Sequence, residues 1–503
     1  MPPVKLAVIG GGPSAFYVAS RLLSLFPHSD LRSPSFRVHI FDRLWAPHGL
    51  VRYGVAPDHP EVKNCTNKFD QTATDPRFRF FGNVNVGSTP LSSIPHTLAL
   101  PLSSLLQNYT HILFATGCTL PTLHPAIPPS PHCIPALSLV HWYTQHPSNP
   151  PIPALHTVNH LTLIGNGNVS LDVARMLLTS PSVLQKYDVP QQVLEVLSRS
   201  TVKHVSIVGR RGPLEAAFTN KELREMMQLP EASMVPIDPP LLIPPEGTTP
   251  TRQQRRTLEL LKKGSQNRFG STSKTWSLDF YRVPTGLTPP PLLSDMAQLT
   301  LAHTRLDTST GRAVPTGDIS TLPTSLVVTS LGFHADPATS FFDPSSNHLR
   351  AHGGRIISPS GTPIRNVYAS GWGANGAKGV LATTMMDAYA VTDTILSDII
   401  SGCPGSGSVE TTADGGLDVS DDLILNPVPH PEDPPEEIKQ GIKDGLVTQY
   451  EDWKVLNAEE VRRGKVLGKE RERMGWEDAR KFLSLSQRGA RFLSSRYSLG
   501  SVN

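Results

Sequence analysis

The sequence predicts an α/β protein with two Rossmann-like dinucleotide-binding units, and three observations predict it. Two glycine-rich turns, Val8-Ile9-Gly10-Gly11-Gly12-Pro13-Ser14-Ala15 and Leu163-Ile164-Gly165-Asn166-Gly167-Asn168-Val169-Ser170, lie about 155 residues apart. Each follows a short apolar run and leads into a helix-like stretch, the context in which such a turn cradles a phosphate. Two further apolar runs that close on small residues, His111 to Gly117 and Ser325 to Gly332, read either as two core strands or as the places where the chain leaves the first unit and returns.

Val4 to Ile9 reads as a buried parallel strand, Pro13 to Leu25 as the helix behind it, and Phe36 to Asp42 as the next strand. In such a unit the pyrophosphate meets unpaired N–H groups at the helix N-terminus, and an acid ending the second strand takes the ribose hydroxyls. Asp42 fills that place 32 residues after Gly10, against a usual spacing of about 20. An insertion at His28 to Ser35 accounts for the excess. In the second unit, a strand over Leu161 to Ile164 is followed by the turn, a helix over Ser170 to Leu178 and a strand over Val202 to Val208. That strand runs into Gly209-Arg210-Arg211-Gly212-Pro213. Two guanidinium groups in place of the acid suit a 2′-phosphate, through charge and a fork of donors; an isolated pair would read as solvated arginines at a strand end.

Asn366 to Trp372 reads as a strand ending in a turn, and Gly379 to Thr384 as the start of a helix running to about Ile400. A helix N-terminus aimed at a flavin would stabilise negative charge on the reduced ring. Pro404 to Glu437 reads as a surface loop and Asp452 to Leu493 as a charged helical extension, with no repeat beyond the two units.

At 503 residues the chain has room for two or three domains. Its 48 prolines gather in connections such as Pro121 to Pro153 and Pro236 to Pro250, which predicts stiff links. A formal net charge of +3 calls for no nucleic-acid partner. Cys65, Cys118, Cys133 and Cys403 form no CxxC pair, so the spacing supports neither a metal cluster nor a redox disulfide. If the chain handles electrons, they must leave to an external acceptor. No stretch reaches the ~20 apolar residues of a membrane span, and Met1-Pro2-Pro3 leads straight into the first strand, leaving no visible transit peptide.

Longer blocks are more specific: Gly49 to Asn64, Gly165 to Arg175, and Val208 to Pro230. Through them nearly the whole chain resembles the adrenodoxin reductase family, the NADPH–ferredoxin reductases of mitochondria and some bacteria. The resemblance implies an NADP domain (119–332) inserted into an FAD domain (1–118 and 333–405), with 406–503 a loop and helical extension packed on the latter. It implies FAD contacts from Gly10, Gly12, Pro13, Ser14, Asp42, Leu50, Val86, Trp372, Gly379, Val380 and Leu381. For NADP it implies Gly165, Asn166, Gly167, Asn168, Val169, Arg210, Arg211, Glu222 and Gly379. His59 and Asp172 match positions near the flavin that can pair, either positioning charge around the ring or forming an ordinary structural hydrogen bond. No metal is implied.

The implied partner is an acidic two-iron two-sulfur ferredoxin, docked near Arg224, Arg252, Arg255 and Arg256, and the implied location is the mitochondrial matrix or its membrane face. Arginines there read equally as a solvated helix face. The chain departs from the family at Ala15 (commonly Gly), Asp42 (Glu), Ala374-Asn375 (Lys-Arg) and Ala377-Lys378 (Pro-Thr). Two other activities stand beside the reductase: an FAD-dependent monooxygenase or oxidase using NADPH, and a non-catalytic FAD/NADP sensor, for which the altered 374–378 loop is the one feature.

Overall fold

A computed structural model describes residues 3–27, 35–245, 247–292, 296–307, 309–401 and 425–486, with short strand pieces at 408–411, 417–418 and 422–423. The proposed insertion at 28–35 and much of the Pro404 to Glu437 loop lie outside the described residues.

The first sheet is built on β1 (Val4–Ile9), β2 (Phe36–Asp42), β3 (Phe78–Gly82) and β4 (His111–Phe114). Every β1 residue is buried, as a strand covered on both faces requires. The chain then builds a second sheet from β5 (Cys133–Pro135), β6 (His160–Ile164), β7 (His204–Val208), β8 (Ala232–Met234), β9 (Lys274–Asp279) and β10 (Leu326–Thr329). It returns to the first sheet with β11 (Ala351–His352), β12 (Arg355–Ile357) and β13 (Pro363–Ala369). The sheet orders are β11-β12-β13-β4-β1-β2-β3 and β8-β9-β7-β6-β10-β5. Where the chain passes between them, Leu120–Pro121 and Phe333–His334 pair as a short antiparallel ribbon. The fold is thus two Rossmann-like units, the second inserted into the first.

Register fixes where ligands can sit. Ile9 lies opposite both Phe41 and Phe114, and Ile164 opposite both Val208 and Thr329. The carboxyl ends of neighbouring parallel strands therefore end level, and each edge carries a glycine turn, as open α/β sheets require. Pro13 opens α1 (Pro13–Leu25), its missing N–H costing nothing at a helix start. The helix behind the second turn, α2 (Asn168–Leu178), starts two residues before the position read from the sequence, because Asn168 and Val169 already turn helically.

A separate core fills each unit, the second drawing on α2, Trp276 and Leu223. Over one face of the first sheet lies α5, numbered after α3 (Asn220–Met227) and α4 (Arg252–Lys263) and spanning Leu381–Ser401. The charged extension read over Asp452 to Leu493 forms α7 (Tyr450–Val466) and a helix at 476–486 separated by a turn, and α6 (Glu436–Lys443) precedes it, beginning at the end of the segment read as a loop; 487–493 lie outside the described residues. Tyr450, Trp453, Leu456 and Trp476 join the core of α1, Trp45 and Phe69. Removing a buried aromatic such as Trp45 would cost about 3–5 kcal/mol.

Candidate active site

Both glycine turns need a backbone that side chains resist. Gly10 has φ +103° and Gly165 φ +129°, and a Cβ on either would overlap a carbonyl of the neighbouring crossing strand, Ala115 O or Ser330 O. In front of each helix N-terminus there is room: a Cβ on Gly12 or Gly167 would meet nothing within 4 Å. That space is the cradle a pyrophosphate needs, facing the first-turn N–H groups.

The first turn is closely wrapped. Gly11 N donates to Asp42 Oδ2 at 2.9 Å, Leu44 N donates to Asp42 Oδ1 at 3.0 Å, and His48 N donates to Gly11 O at 2.9 Å. Burial pushes the Asp42 carboxyl up to about 6. Ser14 Oγ and Ser370 Oγ are 2.6 Å apart, and Asp387 of α5 accepts from both Ser370 Oγ (3.1 Å) and Gly371 N (2.7 Å). Asp387 escaped the sequence reading; its signal, an acid on the otherwise apolar face of a long helix, is weak. Thr116 Oγ1, in the small-residue run after β4, is buried with no partner among the described residues. That orphaned hydroxyl and the room in front of Gly12 fit a bound flavin nucleotide.

The second turn opens on a cleft of 1180 Å³ between the two units. The cleft brings together Leu50, His59, Gly165 to Val169, Asp172, Arg210, Arg211, Glu222, Trp372 and Gly379 to Leu381. Gly10, Gly12, Pro13, Ser14 and Asp42 do not line it, nor does Val86, half-buried in a short strand. Among the described residues, Asn166 Oδ1 is buried without a partner. Arg210 is exposed and Arg211 half-buried, and among the described residues neither guanidinium meets a carboxylate. An arginine pair with no acid to neutralise it, at the end of β7, fits a phosphate.

His59 and Asp172 line the same cleft, but the direct pair between them is not formed. His59 Nε2 bonds Glu225 Oε2 at 2.7 Å, while Asp172 Oδ1 accepts from Arg175 Nη2 at 2.8 Å. Arg175 stands one turn beyond Asp172 on α2, and this (i, i+3) placement captures the carboxylate first. Arg175 also grips Asp58 at 2.6 and 3.1 Å and Glu222 at 3.3 Å. Lys221 reaches Glu61 at 2.7 Å. Thus Asp58, His59 and Glu61 of the first unit are tied to the second. Glu225, Arg175 and Asp58 all lie within the blocks that carry the resemblance, but their links to His59 and across the units are long-range and no local signal marks them.

Charge in this cluster is shared unevenly. Burial lowers the His59 pKa most strongly of any single influence, but the Glu225 hydrogen bond together with the Asp58 and Asp172 carboxylates outweighs it, and the group titrates above its ordinary value. Burial, with Asp172 nearby, raises Glu222 to about 7. His59, Glu222 and Glu225 gather ligand-type atoms within 4.8 Å of one another. The Arg175 guanidinium, 3.3 Å from Glu222 and 3.5 Å from Glu225, already takes the place a cation would need.

Arg224 is exposed on α3, and Arg252, Arg255 and Arg256 are exposed on α4, which packs beside it through Thr257 and Asn220. None of the four forms an ion pair among the described residues.

Known proteins were compared with the chain. No family model matches it. The mitochondrial NADPH:adrenodoxin oxidoreductase of Mus musculus is 35% identical over 488 residues, covering 93% of this chain and 89% of that protein. The NADPH-ferredoxin reductase FprA of Mycobacterium tuberculosis is 35% identical over 411 residues, covering 79% and 85%. A solved structure of FprA in complex with NADPH matches with a TM-score of 0.76 at 30% identity, over 95% of this chain and 99% of that one. With that kinship running almost end to end, and a glycine turn at the strand edge of each unit, the chain belongs to the NADPH:adrenodoxin oxidoreductase family.

Proposed function

We propose that this protein is a mitochondrial NADPH:ferredoxin oxidoreductase. It would take hydride from NADPH onto FAD and pass electrons singly to an acidic two-iron two-sulfur ferredoxin. Bound FAD supplies the step from a two-electron donor to a one-electron acceptor. The observation that carries the reading is the unneutralised Arg210–Arg211 pair, lining the same cleft as Leu50, Trp372 and Gly379 to Leu381. The arginines hold the 2′-phosphate. The Gly165 to Val169 turn holds the pyrophosphate, and Gly379 borders the nicotinamide.

On the flavin side, Gly10, Gly12, Pro13 and Ser14 form the pyrophosphate cradle and Asp42 faces the ribose. Leu50, Val86, Trp372, Val380 and Leu381 bound the remainder. The protein's own task is positioning: hydride passes only between rings in contact, and a narrow apolar wall keeps water from them. His59 and Asp172 act through the charge cluster and touch no reacting atom. The boundaries 1–118, 119–332, 333–405 and 406–503 divide these duties among units. The ferredoxin docks near Arg224, Arg252, Arg255 and Arg256, because exposed, unpaired arginines speed encounter with an acidic protein and do so less in salt.

The test is reduction of cytochrome c by NADPH with FAD-loaded protein, with and without a two-iron ferredoxin, at two salt concentrations. Ferredoxin-dependent turnover that falls with salt is expected. Equal turnover without ferredoxin, or consumption of NADPH as peroxide, would overturn the reading.

A further inference from the structure

One cluster of buried charge lies between the units, away from both cradles. Asp188, in the second unit, accepts from Lys63 Nζ at 2.9 and 3.0 Å and from Arg473 Nη2 at 2.5 Å. Lys63 belongs to the first unit's Pro60–Cys65 turn, and Arg473 to the C-terminal extension. Three parts of the chain therefore meet on one carboxylate.

The extension grips both sides. Arg473 Nη1 donates to Arg52 O at 2.8 Å in the first unit and to Thr144 O at 2.6 Å in the second. Lys469 Nζ donates to Val189 O and pairs with Glu472, Glu470 N donates to Lys186 O at 3.1 Å, and Gln191 N donates to Glu472 Oε1 at 3.0 Å. The segment 186–191 is thus held along its length. Arg52 in turn makes a two-pronged bond to Glu460 of α7, at 2.7 and 3.0 Å, and Glu460 Oε1 also accepts from Met474 N at 2.9 Å.

Burying this many charges costs desolvation, and apolar residues of like size would hold a static core at least as well. What a directional network adds is one geometry, since the Asp188 and Glu460 carboxylates are satisfied only when all their partners are in place, although Arg52 Nε and Arg473 Nε stay without a partner among the described residues. Burial would raise the Asp188 carboxyl, but Arg473 and Lys63 outweigh it and hold the group well below the usual carboxylate range, so the joint is charged at neutral pH. The geometry bears on the cleft. Arg52 sits in the same short helix, Leu50–Tyr53, whose first residue lines the cleft wall.

We propose that the Asp188–Lys63–Arg473 joint is a positioning device: through it the C-terminal extension sets the angle at which the second unit presents its nucleotide to the first. This rests on reading the cleft as the NADPH site.

The test uses FAD-loaded full-length protein and the variant Asp188→Asn, which keeps the shape and removes the charge. Flavin bleaching after rapid mixing with NADPH, and ferricyanide reduction, need no ferredoxin. Bleaching should slow about 10-fold with flavin content unchanged. Deuterium exchange should rise at 60–65 and 186–191 and stay constant in β1. Lys63→Met, which removes one arm only, should slow bleaching by about 3-fold, and it carries the test if Asp188→Asn fails to fold. Faster exchange with an unchanged bleaching rate would overturn the proposal, since the joint would then serve stability alone. Flavin loss in step with slower bleaching would overturn it too. Wild-type protein that fails to bleach would instead sink the NADPH reading, leaving the exchange data to judge the joint alone.

Discussion

The Gly10 and Gly165 turns have nearly the same backbone and very different surroundings. Around Gly10, the Asp42 carboxylate, the His48 amide and the Ser14–Ser370 contact close in from three sides, and His48 is itself held by Tyr450 at 2.9 Å. Around Gly165, the turn lines an open cleft, Asn166 Oδ1 lacks a partner, and the nearest guanidinium groups are unneutralised. On the proposed reading, the enclosed first turn would hold its nucleotide tightly and the open second turn would exchange its own at each turnover, one fold giving two kinds of site through neighbours alone.

The strongest way to break this comparison is a single methyl group in each turn. Gly10→Ala and Gly165→Ala both meet a positive φ and a carbonyl. The strain is about 1–2 kcal/mol, with an overpacking cost of ~1–3 kcal/mol. Gly10→Ala should give protein with little flavin and a lowered thermal midpoint, read by flavin absorbance per chain and by melting. Gly165→Ala should stay yellow and lose most reduction by NADPH. Equal flavin loss in both variants would show that the turns are not functionally separate.

The same contrast explains what was legible in the sequence. Strands β1 and β2 and helix α1 were readable to the residue, since an unbroken apolar run, Pro13 and a terminal acid are local signals. The unit insertion was readable from two small-residue crossings. What could not be read was long-range. Arg175 and Asp172 are a local (i, i+3) pair, but the fold also brings Asp58, 117 positions away, onto the same guanidinium and Glu225, 166 positions away, onto His59. Likewise Asp387 closes the flavin turn from 16 residues beyond Gly371, where no local pattern marks it. α7 ends at Val466, Gly468 with φ +69° turns the chain, and Gly464 leaves room for the Arg471 backbone as the chain reverses.

A second test concerns what the open site waits for. Replacing Arg210 and Arg211 together with alanine removes two charge-assisted contacts worth roughly 1.5–3 kcal/mol each. The value of kcat/KM for NADPH should fall by about 100-fold or more, since each 1.4 kcal/mol is tenfold, while that for NADH changes little. Flavin content should not move, because neither side chain reaches the enclosed turn. A matched loss with both coenzymes would mean that the arginines support the cleft wall and do not read the 2′-phosphate.

The smallest predicted effect sharpens the contrast electrostatically. Glu222 lines the open cleft and is raised to about 7 by burial and by Asp172, against the opposing pull of His59 and Arg175. Its folded value lies above the ordinary 4.5. The folded protein therefore favours the protonated form, and stability falls as pH rises from about 4.5 through 7. The same rise places a new negative charge beside an anionic coenzyme. At about 10 Å and an effective dielectric near 40, one such charge is worth ~0.8 kcal/mol. The KM for NADPH should then rise about 3- to 5-fold between pH 6 and 8. Glu222→Gln cannot ionise, so its profile should be flatter, leaving only the part owed to the His59–Glu225 pair. Were the two proteins to show the same slope, the titrating group would be His59 and its partner, and Glu222 would have no electrostatic part in choosing when the coenzyme leaves.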